Sequence, residues 1–146
     1  MSGSPSEALY SPSILNHAVS LANYPLDDAH TKRAYVTSRV CGSALELGLE
    51  VAEHQAIAGL GMRAKACAIG QASAAIFAAG ARSKTSDDVT ASLREIDAWL
   101  AGDGPLPDWP QIGDLAAALP HSGRHEAIRL PWRAAIAALC NDETAR

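Results

Sequence analysis

Two stretches of alternating residues constrain the fold of this chain more than any other feature. Leucine or valine occupies every second position of Leu45–Val51, and small or acidic residues stand between them. A period of two sustained over the eight residues 44–51 predicts a β-strand with one buried face. A second alternation covers Ile57–Ala66, where Ala58 begins the apolar side and Arg63 and Lys65 fall on the polar side. This segment predicts another strand of the same sheet.

A further strand and the short connections predict an antiparallel meander. Tyr35–Val40 is short and rich in β-branched residues, which favours a strand. Glu53–Gln55 is a plausible tight connection between the two alternating segments. Three consecutive strands joined by short connections indicate an up-down-up sheet.

Helical patterns flank this sheet along the chain. Apolar residues recur at spacings of three and four within Ser11–Ala22, and Ile69–Ala81 is rich in alanine. Thr85–Asp88 has the spacing of a capping box at a helix start. A last helix is predicted from about Glu126 to Leu139, with Pro131 tolerated only if it lies in the first turn. We therefore predict an α+β domain, a three-stranded antiparallel meander sheet with helices packed on one face.

Composition and length limit the classes of function. The 146 residues carry 12 basic and 16 acidic side chains without a Lys/Arg cluster, so no nucleic-acid partner is expected. No stretch approaches the roughly 18–20 apolar residues of a membrane helix, so no membrane partner is expected either. Aromatic residues make up only 5%, which predicts a core of Ala, Leu, Ile and Val. We expect a flexible tail at residues 1–8, one domain at 9–140 and a C-terminal tail at 141–146.

The cysteine content and the absence of known catalytic motifs further limit the expected compartment and class of function. Three cysteines, an odd number, without a visible secretory signal favour thiols in a reducing compartment, and we expect a cytoplasmic protein. No P-loop, dinucleotide fingerprint, nucleophile elbow or HExxH-type metal helix is present. We therefore do not expect an enzyme.

The meander brings two of the thiols together. Cys41 lies beside Gly42 in the first turn of the sheet, and Cys67 lies where the third strand ends and a helix begins. Both points belong to the same end of an up-down-up sheet. Paired thiols are soft metal ligands, and the helix dipole would stabilise a thiolate at Cys67. The competing interpretation is that both are small buried hydrophobes, as Cys140 is expected to be a helix-end or core residue.

The residues around these thiols resemble the motifs of a known family. Leu9–Ala18 resembles the opening helix of IscU/NifU-type iron–sulfur cluster assembly scaffold proteins, and Cys41–Ser43 resembles their Cys-Gly-Asp. Gly61–Ala74 resembles their Gly-x-Gly-Cys-x-Ile-Ser-x-Ala-Ser-Ala turn into a helix. Arg124–Trp132 resembles the third motif, in which a basic residue precedes a Cys and an aromatic helix follows. The order and spacing agree over roughly residues 9–140.

The ligand set departs from that pattern. Ser43 stands where the family has Asp, Ala127 aligns with the third ligand Cys, and Glu126 aligns with the position before it. Only Cys41 and Cys67 carry over as ligands. Glu126 is a candidate oxygen ligand, and the competing interpretation is an exposed first-turn carboxylate that favours the helix dipole.

The resemblance implies a SufE/NifU-like fold and a carrier role without turnover. The chain would act as a scaffold-like protein that binds iron or a nascent Fe–S cluster through Cys41 and Cys67. The implied partners are a cysteine desulfurase, an iron donor and acceptor apoproteins, with the chain a monomer or a homodimer. Two alternatives stay open. One is a sulfur-relay or regulatory partner of the desulfurase with a persulfide on Cys41, and the other is a degenerate scaffold that binds zinc.

Overall fold

The computed structural model describes residues 11–40 and 42–140. Its sheet contains β1 (Lys32–Thr37), β2 (Ala44–Val51) and β3 (Ile57–Lys65), in the order β1-β2-β3 with both pairs antiparallel. The predicted meander is confirmed. The predicted tails, residues 1–8 and 141–146, lie outside the described residues, as does Cys41.

The first strand begins and ends three residues earlier than its predicted bounds, Tyr35–Val40. The backbone N–H of Ser38 donates to the carbonyl of Ser43 at 2.8 Å, so the chain already turns there. The β-branched residue Val40 lies in the turn, so composition alone could not separate the strand from the turn.

Four α-helices lie among the described residues, together with several 3₁₀ turns. The helices are α1 (Pro12–Ser20), α2 (Ala68–Gly80), α3 (Ser86–Leu100) and α4 (His125–Cys140). The 3₁₀ turns are Leu21–Asn23, Glu53–Gln55, Ile112–Ala118 and Ser122–Arg124. The α4 helix packs on β1 and β2, and α2 packs on α4 and α1. The helices therefore cover the sheet face that carries the buried leucines of β2, as predicted.

The predicted capping box is present at the start of α3. The Thr85 hydroxyl accepts from the backbone N–H of Asp88 at 3.3 Å, and the Asp88 carboxylate accepts from the Thr85 backbone N–H at 3.0 Å. Each side chain thus satisfies a backbone donor that the helix leaves unpaired.

The core is built mainly from Ala, Leu and Ile, but its centre is aromatic. Phe77, Trp109 and Trp132 form a cluster with ring centroids 5.1–5.3 Å apart. The indole N–H of Trp109 donates to the carbonyl of Ile76 at 3.0 Å. The expectation of a purely aliphatic core was therefore wrong, because three of the seven aromatic side chains are gathered at one point.

Pro131 is the seventh residue of α4, so the expectation that this proline is tolerated only in the first turn was wrong. A proline there removes the hydrogen bond to the Ala127 carbonyl and disturbs the turn before it. The neighbouring carbonyl of Ile128 accepts a hydrogen bond from the buried hydroxyl of Ser73 at 2.8 Å. This contact with α2 supports the helix where its own hydrogen bonding is interrupted.

A β-bulge corrects the predicted pattern of β3. The register shifts at Glu50 and Val51, so that Ile57 pairs with Val51 and Gly59 pairs with Glu50. Ala58 is the extra residue and is exposed, whereas Ile57 is buried. Its predicted place on the apolar side was therefore wrong, because the bulge changes which residues face the core.

The outer face of the sheet is half covered by a strap, residues 24–30. The Met62 backbone N–H donates to the carbonyl of Tyr24 at 2.9 Å, which joins the strap to the edge of β3. The strap crosses the cross-strand pair Gly48 and Gly61. A side chain at Gly61 would collide with the carbonyl oxygen of Pro25. The glycine pair therefore lets backbone lie directly on the sheet.

Candidate functional site

The turn between β1 and β2 and the end of β3 lie at one end of the sheet. Thr37 pairs with Ala44, and Ala44 pairs with Lys65, so these three residues form a single cross-strand row. The connection that contains Cys41 joins Thr37 to Ala44 in this row. Cys67 comes two residues after Lys65, the third member of the row. The described residues thus have the placement that the meander argument requires. The approach of the two thiols itself stays a prediction, because Cys41 lies outside them.

Hydrogen bonds and one left-handed residue shape this turn. The Gly42 backbone N–H donates to the carbonyl of Ser38 at 3.1 Å, which joins the two sides of the connection between β1 and β2. Gly42 has a φ of +70°, and no atom lies within 4 Å of the place where its Cβ would stand. Glycine is thus favoured here by backbone conformation rather than by lack of space.

Cys67 lines an open cleft at this end of the sheet. The cleft has a volume of about 250 Å³ and is bounded by Gly42, Ser43, Lys65, Ala66 and Cys67. Cys67 is the N-cap residue of α2, its side chain makes no capping hydrogen bond, and it is partly exposed. Cys67 is therefore half-buried, with one side packed against the core and the other bordering the cleft.

The backbone at Cys67 is held from the first turns of α2. The Gln71 backbone N–H donates to the Cys67 carbonyl at 2.9 Å, and the Gln71 side-chain amide donates to the Ala66 carbonyl at 2.9 Å. Sequence reasoning missed Gln71, because its role depends on a side chain that folds back over the helix start.

Ala127, the position of the family's third ligand, lies close to this cleft. A Cβ added to Gly70 would stand 3.4 Å from the Ala127 Cβ and 2.7 Å from the Ala66 Cβ. Ala127 therefore packs against the first turn of α2, three residues after Cys67, and only 1% of it is exposed. Its methyl group offers no donor atom. The position that the resemblance aligns with a third ligand thus lies beside the helix that Cys67 caps, and in this chain it carries no ligand atom.

The carboxylate of Glu126 is engaged by basic side chains of its own helix. It accepts a hydrogen bond from Arg133 at 2.7 Å and lies 3.6 Å from Arg129. Arg129 in turn donates to Asp97 on α3 at 2.6 Å. These contacts favour a structural role in holding α4 against α3, and a role of Glu126 as ligand would require its ion pairs to break.

Cys140 lies at the opposite end of the molecule from the cleft. Its sulfur is 3.8 Å from the hydroxyl of Ser86, and the carbonyl of Lys84 accepts from the backbone N–H of Ile57, where β3 begins. Cys67 follows the other end of this nine-residue strand. At about 3.3 Å per residue, the strand separates the two ends by nearly 30 Å. Cys140 therefore cannot join Cys67 in one site.

The described part of the chain offers no complete metal site. Within residues 11–40 and 42–140, no group of three or more His, Cys, Asp or Glu side chains is arranged to hold a metal ion. Any metal held in the cleft would thus depend on Cys41, on the cargo's own ligands or on a partner. No helix among the same residues is long and apolar enough to cross a membrane.

Comparisons with known proteins identify the fold. No family model and no curated protein matches the chain in sequence. A nitrogen-fixing NifU-like protein (N-terminal) from Brucella abortus matches in structure with a TM-score of 0.81 at 24% identity, covering 93% of this chain and 95% of that one. A putative iron–sulfur cluster assembly scaffold protein for the SUF system from Fervidobacterium islandicum AW-1 matches with a TM-score of 0.78 at 18% identity, covering 92% and 98%.

A hypothetical protein extends the comparison, with a TM-score of 0.68 at 16% identity over 92% of this chain and 99% of that one. The three matched chains are each covered almost completely, so the likeness concerns whole domains. The predicted NifU-like α+β fold is confirmed. Over nearly all of its length, this chain has the fold of the NifU N-terminal and SUF-system scaffold proteins.

Proposed function

We propose that this protein is an iron–sulfur cluster assembly scaffold-like carrier, which binds iron or a nascent cluster as cargo through Cys41 and Cys67. The observation that carries the proposal is the cleft, which is lined both by the half-buried Cys67 and by the turn residues that follow Cys41. The fold shared with proteins described as NifU-like and as a putative SUF scaffold supports it. Such a carrier has no turnover of its own.

The donor set suits a cargo that must leave again. Thiolates are soft ligands that iron–sulfur clusters prefer, and such clusters are commonly held by four of them. This chain would supply two, since Ala127 has no ligand atom and Cys140 is remote. The remaining positions would be filled by small thiols, by a second copy of the chain or by the partner. A cargo that receives only half of its ligands from the chain dissociates from it readily.

The proposed partners follow from that role. A cysteine desulfurase would supply sulfur, an iron donor would supply iron, and acceptor apoproteins would take the product. The exchange needs reduced thiols, so the protein would work in a reducing compartment such as the cytoplasm.

Anaerobic reconstitution with iron, sulfide and reductant tests the proposal. Absorbance in the visible range and analysis of bound iron and sulfide should show cargo on the natural chain. The loading should be lost in Cys41→Ser and in Cys67→Ser. Cys140→Ser is the matched control, since it removes a thiol from the far end of the molecule, and it should load normally. Unchanged loading of Cys67→Ser would refute the proposal.

The sulfur-relay alternative is favoured by the methyl group at Ala127, because a relay needs one thiol and no complete ligand set. The desulfurase persulfide would transfer its outer sulfur to the Cys41 thiolate, and the desulfurase thiolate would leave. Mass spectrometry after incubation with a desulfurase and cysteine would then find the added sulfur on Cys41, in a protein that takes up no iron. The zinc alternative predicts stoichiometric zinc in the purified protein instead.

A further inference from the structure

The outer face of the sheet is open beside the cleft. The strap covers the row that contains Gly48 and Gly61, whereas no part of residues 11–40 and 42–140 buries the side chains of Tyr35 and Arg63 in the two rows nearer to Cys67. One row is formed by Tyr35, Glu46 and Arg63, and the other by Thr37, Ala44 and Lys65. We call these two rows the open face.

The open face is basic although the chain as a whole is acidic. The net charge of the chain is −4, but the sheet region 32–65 holds five basic and three acidic side chains. The region 86–108, which contains α3 and the loop after it, holds six acidic side chains and one basic one. The strap on the same side of the sheet adds Asp27 and Asp28, so the positive excess belongs to the strands and not to the strap.

Arg63 and Lys65 are the exposed cations of the open face, and Glu46 neutralises part of the charge of Arg63. Glu46 lies 3.3 Å from Arg63 and 3.6 Å from Arg33, so one carboxylate is shared by two guanidinium groups. The Arg63 side chain is 70% exposed, and Lys65 is exposed in the next row. Tyr35 is 67% exposed in the same row as Glu46. The face therefore offers positive charge together with one large amphipathic side chain.

The open face leads into the cleft. A shallow depression of about 250 Å³ is lined by residues of both rows, including Tyr35, Arg63 and Lys65. Lys65 also lines the cleft that contains Cys67. A segment lying across these rows would therefore reach Lys65, which also borders the cleft that Cys67 lines.

We propose that the open face docks an acidic polypeptide segment of the protein that exchanges sulfur or cluster with the cleft. The inference rests on the proposed function, which explains why a partner would bind beside the cleft. Its chemistry follows from charge complementarity with Arg63 and Lys65, and from Tyr35, since an exposed tyrosine is a common anchor in interfaces. A nucleic acid fits less well, because its regularly spaced phosphates need several cations along a groove, whereas the open face offers only Arg63 and Lys65.

A labelled acidic peptide is the probe for this docking. A fluorescein-labelled peptide of about 12 residues, alternating Glu and Ala, is titrated with the full chain by fluorescence anisotropy, and a Gln/Ala peptide serves as the neutral control. We expect the Glu/Ala peptide alone to bind, and the binding to weaken strongly between about 20 and 300 mM NaCl, where charges on the surface become screened.

Two double variants with the same change in net charge isolate the open face. Arg63→Glu with Lys65→Glu should weaken binding of the peptide by about tenfold, because two attractions become repulsions. Arg82→Glu with Arg94→Glu reverses two exposed cations outside the open face and should change it by less than about twofold. The milder pair Arg63→Gln with Lys65→Gln, checked for the natural fold by circular dichroism, should lie between them. In a Cys41→Ser, Cys140→Ser background, the bound peptide should also slow alkylation of Cys67.

Several results would overturn this inference. One is equal peptide binding by the natural chain and the Arg63, Lys65 variants, and another is equal weakening by the Arg82, Arg94 control. Tighter binding of a 12-nucleotide single-stranded DNA would reassign the face to nucleic acid. A salt-sensitive oligomer of the chain alone, lost in the Arg63, Lys65 variants, would assign it to a second copy. Since the peptide assay uses no iron or sulfide, its failure is distinguishable from a failure of cargo binding.

Discussion

Gly61→Ala tests how the strap is held on the sheet. The added Cβ would collide with the carbonyl oxygen of Pro25 and stand 2.7 Å from the Leu26 Cα. Both are backbone atoms, so no side-chain rotation can relieve the contact. Overpacking of this kind costs about 1–3 kcal/mol, and displacing the strap weakens the 2.9 Å hydrogen bond from Met62 to Tyr24 by up to about 1 kcal/mol. Replacing glycine by alanine also lowers the conformational entropy of the unfolded chain, which offsets about 0.4–1 kcal/mol of the lost stability.

The balance is a loss of about 2 kcal/mol in the free energy of unfolding, or roughly 4–8 °C in Tm for a chain of this size. Urea unfolding followed by tryptophan fluorescence measures it. Gly59→Ala is the matched control, since it lies on the same strand and the same face, and its Cβ would meet only the tip of the Glu50 side chain at 3.0 Å. It should change stability by less than about 0.5 kcal/mol. Equal stability of both variants would refute the strap's close packing on Gly61.

Three further predictions concern the site and the helices. Ala127→Cys places a third thiol against the first turn of α2, so reconstituted protein should lose iron to a chelator several times more slowly, and an unchanged release rate would contradict this placement. Ser73→Ala leaves the Ile128 carbonyl without its buried donor, which should lower the free energy of unfolding by about 1–3 kcal/mol in urea. The backbone N–H and then the hydroxyl of Thr85 lower the pKa of Asp88 below its ordinary value of 3.8. The unfolded chain therefore binds more protons, so this stabilisation is complete above about pH 4 and is lost as the pH falls through the lowered pKa. Asp88→Asn should remove that part of the acid dependence of Tm.

The elements that were predictable from the sequence are those set by local chemistry. The period of two in β2 predicted Ala44–Val51 with its observed bounds, and the Thr85 capping box fixed the start of α3. The errors arise where distant contacts decide. The bulge at Ala58 depends on how β3 aligns with β2, and Pro131 is accommodated inside α4 next to a carbonyl that Ser73 of α2 supports.

The candidate site was predictable in its topology and not in its surroundings. The meander alone placed Cys67 and the turn around Cys41 at one end of the sheet, because alternate connections of an antiparallel sheet share an end. The approach of Ala127 to α2 could not be read from residues that lie 60 positions apart in the sequence. Lys65 was expected only on the polar side of β3, and its place on the rim of the cleft depends on the end of that strand.

The departures from the family pattern change the electrostatics of the cleft as well as its ligand count. Ser43 is 3% exposed where the resemblance expects Asp, and Ala127 is buried where it expects a thiol, so two potential negative charges are missing. Lys65, in contrast, adds a positive charge to the rim. A bare iron cation is attracted less by such a site, whereas sulfur species and clusters that arrive with their own thiolates carry negative charge and are attracted more. Under the proposed function, the cleft would therefore suit cargo delivered by a partner better than free iron from solution, and the cations of the open face would favour delivery by an acidic segment.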